Sequence, residues 1–191
     1  MPNTLPRWLK PALFVACLAP LLWTGIFVLQ AVNPVEYITH QTGTWALVYL
    51  LTTLTITPLR QLTGWNPLIR LRRMFGLYAF FYACLHFCIW FALDHALDPT
   101  AMWHDVIKRP FITVGFTAFT LLIPLAATST DAMMRRLKRN WGRLHALVYP
   151  IAILGVLHYW WLVKRDVTEP AIYAAVLIML LGWRIVRRWR A

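Results

Sequence analysis

The sequence predicts an all-α integral membrane protein, a bundle of six transmembrane helices with both termini in the cytoplasm. Of its 191 residues, 60% are hydrophobic and only 14% are charged, whereas about a quarter of the residues in soluble proteins are charged. The lysines and arginines lie in short clusters between long apolar runs. A net charge of +12 also suits a nucleic-acid-binding protein, but such proteins concentrate that charge on one soluble face. We therefore expect this chain to lie in a lipid bilayer and not to bind nucleic acid.

Six apolar segments define a single predicted domain over residues 1–191. The predicted helices cover residues 12–32, 44–59, 74–93, 111–127, 144–163 and 171–186. About 20 residues at 1.5 Å each span the hydrocarbon core. The sixth helix, which follows Glu169-Pro170, is therefore short unless Arg184 reaches the interface and the helix continues past it.

The first segment has a signal peptide as its alternative interpretation. Its apolar run is longer than the roughly 7–15 residues of a signal-peptide core, and no small-residue cleavage site follows. We therefore predict a retained helix with Pro20 as a kink. Asn33-Pro34 then predicts a turn before the second helix.

The connections and the second helix have polar patterns of their own. We expect the threonine hydroxyls of the second helix to bond back to its own carbonyls. The acidic and histidine residues between positions 94 and 105 predict a loop after the third helix. Residues 128–131 predict the end of the fourth helix and an N-cap, followed by a short amphipathic helix over Ala132–Asn140.

The distribution of lysine and arginine predicts the orientation. Fifteen of these residues lie at the termini and in the second-to-third and fourth-to-fifth connections. Four lie on the other side: Lys108, Arg109, Lys164 and Arg165. Positive residues collect on the cytoplasmic side, so both termini are expected there, and the third and fifth helices run outward.

Histidines inside the apolar segments are the candidate metal ligands. His86 lies 13 residues after Arg73, and His158 lies 15 residues after Arg143, so each is about 20 Å from the cytoplasmic charges along its helix. Ionisable side chains at such depth face a partner, a cavity or a cofactor. A haem held between two helices takes one imidazole nitrogen from each. We therefore predict that His86 and His158 ligate one haem in the outer half of the membrane.

His145 is the candidate for a separate inner site. It lies near the cytoplasmic side, where the third helix carries Arg72 and Arg73 at the matching depth instead of a histidine. Together with Arg143, these arginines suit an anionic group such as a haem propionate or a donor's phosphate.

The predicted fifth helix carries both His145 and His158. Thirteen residues of a straight helix rotate by about 1300°, which leaves the two side chains about 140° apart. Pro150 lies between them and allows a kink that would change this angle.

Two other classes of function fit the same histidines. They would be protonation sites in a small transporter or proton relay, or structural residues in an anchor subunit that binds no cofactor. Of the three classes, haem proteins alone show an absorbance that shifts on reduction. No G-x-G-x-x-G or P-loop follows a predicted strand, so we expect no nicotinamide cofactor in a dinucleotide fold. No catalytic residue is predicted.

Three runs of sequence carry a resemblance to a known family: RLRRMFGLYAFFYACLH, TSTDAMMRRLKRNWGRLHALVY and HYWWLVK. They resemble the haem-binding membrane subunits of bacterial periplasmic methionine sulfoxide reductase systems, part of the ferric-reductase-like transmembrane family that includes the NADPH oxidases. The resemblance covers nearly the whole chain. It implies a six-helix bundle of the cell inner membrane, with haem b held by histidines of the third and fifth helices. His86, His145 and His158 occupy the matching positions, but the inner third-helix histidine of the larger oxidases is missing.

The resemblance also implies a function in electron transfer. Electrons from a cytoplasmic flavin reductase or from membrane quinol would pass through the haem to a periplasmic molybdopterin-containing methionine sulfoxide reductase. That partner repairs oxidised envelope proteins, and this chain would not contact the sulfoxide. One haem is expected, and a second haem at His145 and a bound FMN remain open alternatives.

Overall fold

The computed structural model describes residues 4–163 and 166–189. Lys164 and Arg165, counted above on the outer side, and Arg190, one of the C-terminal arginines, lie outside these residues. The described residues form helices with short connections and contain no strand. They fall into two compact units, which meet in the sequence between Met102 and Trp103.

Helices α1 to α4 belong to the first unit. They are α1 (Leu9–Ala16), α2 (Ala19–Phe27), α3 (Pro34–Thr63) and α4 (Ile69–Ile89). Short 3₁₀ turns follow α2 and precede α4, and a π turn, Trp90–Asp94, continues α4. α3 and α4 pack along each other and hold most of the buried side chains of this unit. The next helix, α5 (Pro99–Lys108), includes the residue at which the second unit begins.

The predicted first helix, residues 12–32, consists of α1 and α2 with a break at Cys17. Pro20 lies at the start of α2 and has no N–H with which to continue the hydrogen-bond ladder of α1. At the same break the Leu21 N–H donates to the Leu18 carbonyl instead of to Cys17. The carbonyl of Cys17 accepts the hydroxyls of Tyr49 and Tyr82, at 3.1 and 2.9 Å. The kink predicted at Pro20 is therefore a helix break that tyrosines of α3 and α4 stabilise.

α3 is 30 residues long and begins ten residues before the predicted start at position 44. Asn33 caps it by accepting the Glu36 N–H at 3.3 Å, and Pro34 occupies its first turn. Asn followed by Pro thus starts a helix here, because Pro lacks only an N–H that the first turn leaves unpaired. α3 ends at Gly64, whose φ of 67° suits glycine.

Six threonines of α3 bond back to the carbonyl four residues earlier, as predicted for this helix. These bonds, 2.7 to 2.9 Å long, are made by Thr39, Thr42, Thr52, Thr53, Thr55 and Thr63. Each bond satisfies a hydroxyl that would otherwise need a partner from outside the helix.

The second unit is built from five further helical segments. After α5 come α6 (Pro110–Ala127), α7 (Asp131–Leu137), α8 (Arg139–His145), α9 (Val148–Leu162) and α10 (Thr168–Trp189). α9 packs against both α6 and α10. Thr130 caps α7 by accepting the Met133 N–H at 3.2 Å, which confirms the predicted N-cap. The short helix predicted over Ala132–Asn140 is interrupted at Lys138, whose φ is 48°. α8 then follows α7 after Lys138.

In the region of the predicted fifth helix, residues 144–163, the kink that Pro150 allows is present as a short interruption. The structure has two helices there, α8 and α9, with a break that begins at Ala146. Pro150 has no N–H to donate to the carbonyl of Ala146, four residues earlier, and its ring clashes with that carbonyl. Because His145 ends α8 and His158 lies in α9, the rotation calculated for a straight helix does not apply to them.

The loop predicted after the third helix is wrong in part, because residues 99–108 form α5. Pro99 occupies its first position, where the missing N–H costs nothing. Val106 is buried, and its carbonyl accepts the hydroxyl of Thr113 at 2.5 Å. Val106 is the buried residue of α5, and the polar residues around it, among them His104 and Asp105, are what suggested a loop.

α10 is longer than the predicted sixth helix and covers 22 residues. The side chain of Arg184 has partners within the second unit. It donates to the Leu180 carbonyl at 2.8 Å, and its guanidinium lies 5.4 Å from the ring centre of Tyr149 on α9. The Leu180 carbonyl and the Tyr149 ring thus stabilise the positive charge of the Arg184 guanidinium.

Five stretches of the described residues are long and apolar enough to cross a bilayer. They are Leu9–Gln30, Asn66–Asp94, Pro110–Ala127, Arg139–Leu162 and Thr168–Trp189. α3 is long enough as well, since 30 residues rise about 45 Å, but it is more polar than these five. The chain is thus a multi-pass, all-helical membrane protein.

Candidate functional site

His86 is held in the first unit by a backbone carbonyl of the neighbouring helix. It lies in the last turn of α4, half-buried. Its Nδ1 is 2.9 Å from the carbonyl oxygen of Thr39 on α3. Because a carbonyl can only accept, the proton of this bond belongs to Nδ1. In the neutral imidazole the lone pair is then on Nε2, the nitrogen that an axial metal bond uses.

His158 repeats this arrangement in the second unit. It lies in α9, half-buried, and its Nδ1 is 2.7 Å from the carbonyl oxygen of Phe111 in the first turn of α6. The imidazole also stacks on the Phe111 ring, with centroids 6.2 Å apart and planes 28° apart. By the same reasoning Nδ1 carries the proton and Nε2 carries the lone pair.

His145 has a different hydrogen bond, to a side chain instead of a carbonyl. Its Nε2 is 3.0 Å from Oγ1 of Thr128, whose hydroxyl donates to the carbonyl of Pro124 at 2.7 Å. Since that hydroxyl proton is used, Oγ1 accepts from His145, and Nε2 carries the proton. Trp141 stacks on the imidazole at 3.9 Å and donates its own N–H to the Thr128 carbonyl at 3.0 Å.

The predicted arginines are divided between the two units. Arg72, half-buried, and Arg73, exposed, lie in the first turns of α4 in the first unit. Arg143 is exposed in α8 of the second unit, two residues before His145. Arg72 and Arg73 lie near the start of α4 and Arg143 near the end of α8, at helix ends that the distribution of charge predicts to be cytoplasmic.

The remaining histidines lie elsewhere. His40 on α3 and His104 on α5 are exposed. His95 follows the π turn, and its ring meets that of Trp90 edge to face at 4.6 Å. Among residues 4–163 and 166–189, no three His, Cys, Asp or Glu side chains are grouped as in a metal site made by protein alone. A haem site needs no such group, since the porphyrin supplies four ligands and the protein one or two.

Thr128 and Trp141 were not among the residues predicted from the sequence. Thr128 was assigned only to a helix end, and Trp141 only to a cytoplasmic connection. Thr128 reaches His145 from another segment of the chain, so no local signal in the sequence marks it. Trp141 lies four residues before His145 on α8, a spacing that places the two rings on one face of the helix and that could have indicated the contact. The carbonyls of Thr39 and Phe111 were missed for a further reason: every residue has a carbonyl.

Comparisons with known proteins agree with one another. Residues 42–156 match the family described as ferric reductase like transmembrane component. The chain is 53% identical to a protein-methionine-sulfoxide reductase haem-binding subunit MsrQ of Xanthomonas euvesicatoria, over 95% of this chain and 88% of that protein. It is 54% identical to the MsrQ of Ralstonia nicotianae, over 100% and 92% of the two chains, and 61% identical to that of Xanthomonas campestris, over 83% and 73%. No solved structure matches.

Proposed function

Since the chain belongs to the MsrQ family of haem-binding subunits, within the ferric-reductase-like transmembrane proteins, we propose that it binds haem b and conducts electrons across the membrane. It is a multi-pass protein of the bacterial inner membrane. Haem supplies a one-electron carrier that alternates between the ferric and ferrous states. The protein's part is to hold that carrier and to give its electrons a route across the bilayer.

The observation that carries this proposal is the pair of matching imidazoles. His86 and His158 each donate Nδ1–H to a helix carbonyl, at 2.9 and 2.7 Å. The remaining nitrogen of each ring has the lone pair that an axial bond to iron requires. A hydrogen bond on the second nitrogen also orients the ring and makes it a stronger ligand. Each imidazole thus has the chemistry of a haem ligand, and His86 and His158 are the residues that would hold the haem iron in this proposal.

We assign His145 and the arginines to the inner end of the electron route. His145 serves either a second haem or another bound cofactor such as FMN. Arg72, Arg73 and Arg143 supply positive charge for haem propionates or for the phosphate of a flavin. Electrons enter on this side from a cytoplasmic flavin reductase or from quinol.

The acceptor is a periplasmic molybdopterin-containing methionine sulfoxide reductase. The relatives' names describe them as haem-binding subunits of a protein-methionine-sulfoxide reductase, and we extend this partnership to the present chain. Here the chain acts as the electron-transfer subunit, and repair of oxidised envelope proteins takes place on the partner.

The proposal includes six spans in one domain over residues 1–191, with both termini cytoplasmic. α3 is the additional span. Its back-bonded threonines reduce the cost of its polar composition in lipid. The arginines in the first turns of α4 and in α7 and α8 then share the cytoplasmic side with the termini.

Replacement of the two ligands tests the proposal. In His86→Ala and His158→Ala we expect loss of most low-spin haem absorbance, because ligation by two histidines leaves no spare ligand. His40→Ala and His104→Ala, at exposed positions, should keep the full spectrum. The assay is the reduced-minus-oxidised spectrum of protein purified in detergent.

Two results would count against this assignment. A full low-spin spectrum in both ligand variants would show that the ligands are elsewhere. A purified wild-type protein with no haem absorbance would contradict the haem function itself and favour the proton-relay alternative.

A further inference from the structure

The same three-residue arrangement occurs once in each unit, 72 residues apart in the sequence. In the first unit it consists of the Thr39 carbonyl, Gly43 and His86. In the second unit it consists of the Phe111 carbonyl, Gly115 and His158. In both copies the hydrogen bond joins residues 47 positions apart. In both, glycine follows the accepting carbonyl by four residues, which places it one turn further along the same face of the helix.

Each glycine faces the imidazole that its helix binds. A Cβ at Gly43 would lie 3.0 Å from both Nδ1 and Cε1 of His86. A Cβ at Gly115 would lie 2.6 Å from Nδ1 and 2.7 Å from Cε1 of His158. Ordinary contacts of a Cβ begin near 3.4 Å, so the ring occupies the space of a missing side chain in both places.

The imidazole could make room for a side chain only by leaving its carbonyl. The Nδ1–H···O bonds of 2.9 and 2.7 Å fix the same edge of the ring that the Cβ would meet. A ring displaced by several tenths of an ångström keeps a lengthened, poorly aligned bond, and such bonds weaken steeply. Close approach and hydrogen bonding therefore both depend on glycine.

We propose that Gly43 and Gly115 are positioning residues for the axial ligands, because their lack of a side chain lets each imidazole donate Nδ1–H to the neighbouring helix. This inference rests on the proposed haem function. The bond aims Nε2 and increases its strength as a donor to iron. Without it, the iron–nitrogen bond weakens, and the ferric state, which depends more on a strong donor, loses the greater share of stabilisation.

The two positions are expected to differ in degree. At Gly115 the added methyl group and the His158 ring would have to move apart by about 0.8 Å to reach an ordinary 3.4 Å contact. At Gly43 the methyl group and the His86 ring would have to move apart by about 0.4 Å. Gly115→Ala should therefore lower haem affinity by about 10–100-fold, the range typical when a partner of a metal ligand is lost. Gly43→Ala should lower it by a smaller factor. Both should move the reduction potential in the positive direction and add a high-spin component to the spectrum.

Three helical glycines provide matched controls. A methyl group at Gly76, on the same helix as His86, meets only Thr53 at 3.8 Å. Gly25 in α2 and Gly182 in α10 have nothing within 4 Å. Gly76→Ala, Gly25→Ala and Gly182→Ala make the same chemical change and should leave affinity, spin state and potential at wild-type values.

The experiment compares these five variants with the wild-type full-length chain in lipid nanodiscs. Haem titration gives affinity, absorbance and electron paramagnetic resonance give spin state, and redox titration gives the potential. Nitrogen-15 NMR of histidine-labelled protein before haem addition reports whether Nδ1 of His158 and His86 carries a bonded proton. We expect that signal to shift in Gly115→Ala, and less in Gly43→Ala.

Equal affinity, potential and NMR signal in Gly115→Ala and Gly182→Ala would overturn the inference, while the haem function would stand. A wild-type chain that takes up no haem would overturn the proposed function, and the NMR comparison would still decide whether glycine permits the bond. If Gly115→Ala does not fold, Gly43→Ala against Gly76→Ala decides: equal values of both variants contradict the inference, and a loss confined to Gly43→Ala supports it.

Discussion

Replacing Tyr49 and Tyr82 together by phenylalanine is expected to destabilise the first unit by more than the sum of the single replacements. Both hydroxyls donate to the carbonyl of Cys17 at the break between α1 and α2, at 3.1 and 2.9 Å. In a continuous helix this carbonyl would accept the N–H of Leu21, but that N–H donates to Leu18 at 3.0 Å. Each single replacement leaves the carbonyl one hydroxyl, and the double replacement leaves it none.

The size of the effect follows from the burial of this site. Tyr82 is 1% exposed and Tyr49 is 6% exposed, so water does not readily replace the lost donors. One side-chain hydrogen bond in a membrane protein contributes about 0.6 kcal/mol, which is the expected cost of either single replacement. A buried carbonyl left without a partner costs about 1–3 kcal/mol more. The double variant should therefore lose about 2–4 kcal/mol, with a coupling of at least about 1 kcal/mol.

Equilibrium unfolding in mixed micelles, followed by circular dichroism and repeated for all four members of the cycle, measures this coupling. Tyr78 provides the control, because its hydroxyl donates to a different carbonyl, that of Phe14, at 2.7 Å. Tyr78→Phe and Tyr82→Phe should therefore combine additively. Additive behaviour of the Tyr49 and Tyr82 pair as well would refute a shared dependence on the Cys17 carbonyl.

Two further predictions concern His145 and the orientation of the chain in the membrane. His145→Ala should leave the outer haem spectrum largely intact but slow reduction by a cytoplasmic-side donor in stopped-flow experiments; loss of all haem would instead assign His145 to the same iron as His86. Two reporter enzymes fused after Ala191 test the orientation. A reporter that works only in the cytoplasm should be active, and one that works only in the periplasm should be inactive. The reverse result would contradict either the sixth span or the predicted orientation.

The membrane class and most of the helices could be predicted because their signals are local. An apolar run of about 20 residues identifies a span by composition alone, and this identified the regions of α1–α2, α4, α6, α9 and α10. The back-bonding of the threonines on α3 was also predictable, since it depends on residues only four positions apart. The family could be recognised from runs that include His86, His145 and His158, and the comparisons confirm it.

Features that depend on tertiary packing could not be predicted in this way. Pro150 indicated a kink, but the break begins four residues earlier at Ala146, because the proline affects the carbonyl in the preceding turn. The acceptors of His86 and His158 are backbone atoms of other helices, and backbone atoms leave no mark on composition. The recurring spacing of Gly43 to His86 and of Gly115 to His158 was present in the sequence. It acquires a meaning only once the helices are seen to pack as pairs.

The hydrogen bonds of the imidazoles distinguish His86 and His158 from His145, independently of their depth along the helices. The acceptors of His86 and His158 are carbonyls, so both rings carry their proton on Nδ1 and the lone pair on Nε2. The Thr128 hydroxyl already donates to Pro124, so His145 carries its proton on Nε2. Ligation of iron through Nε2 of His145 would require that bond to break and the ring to turn away from Thr128. We therefore expect ligation through Nε2 of His145 to need a local rearrangement that the Nδ1 hydrogen bonds of His86 and His158 do not require.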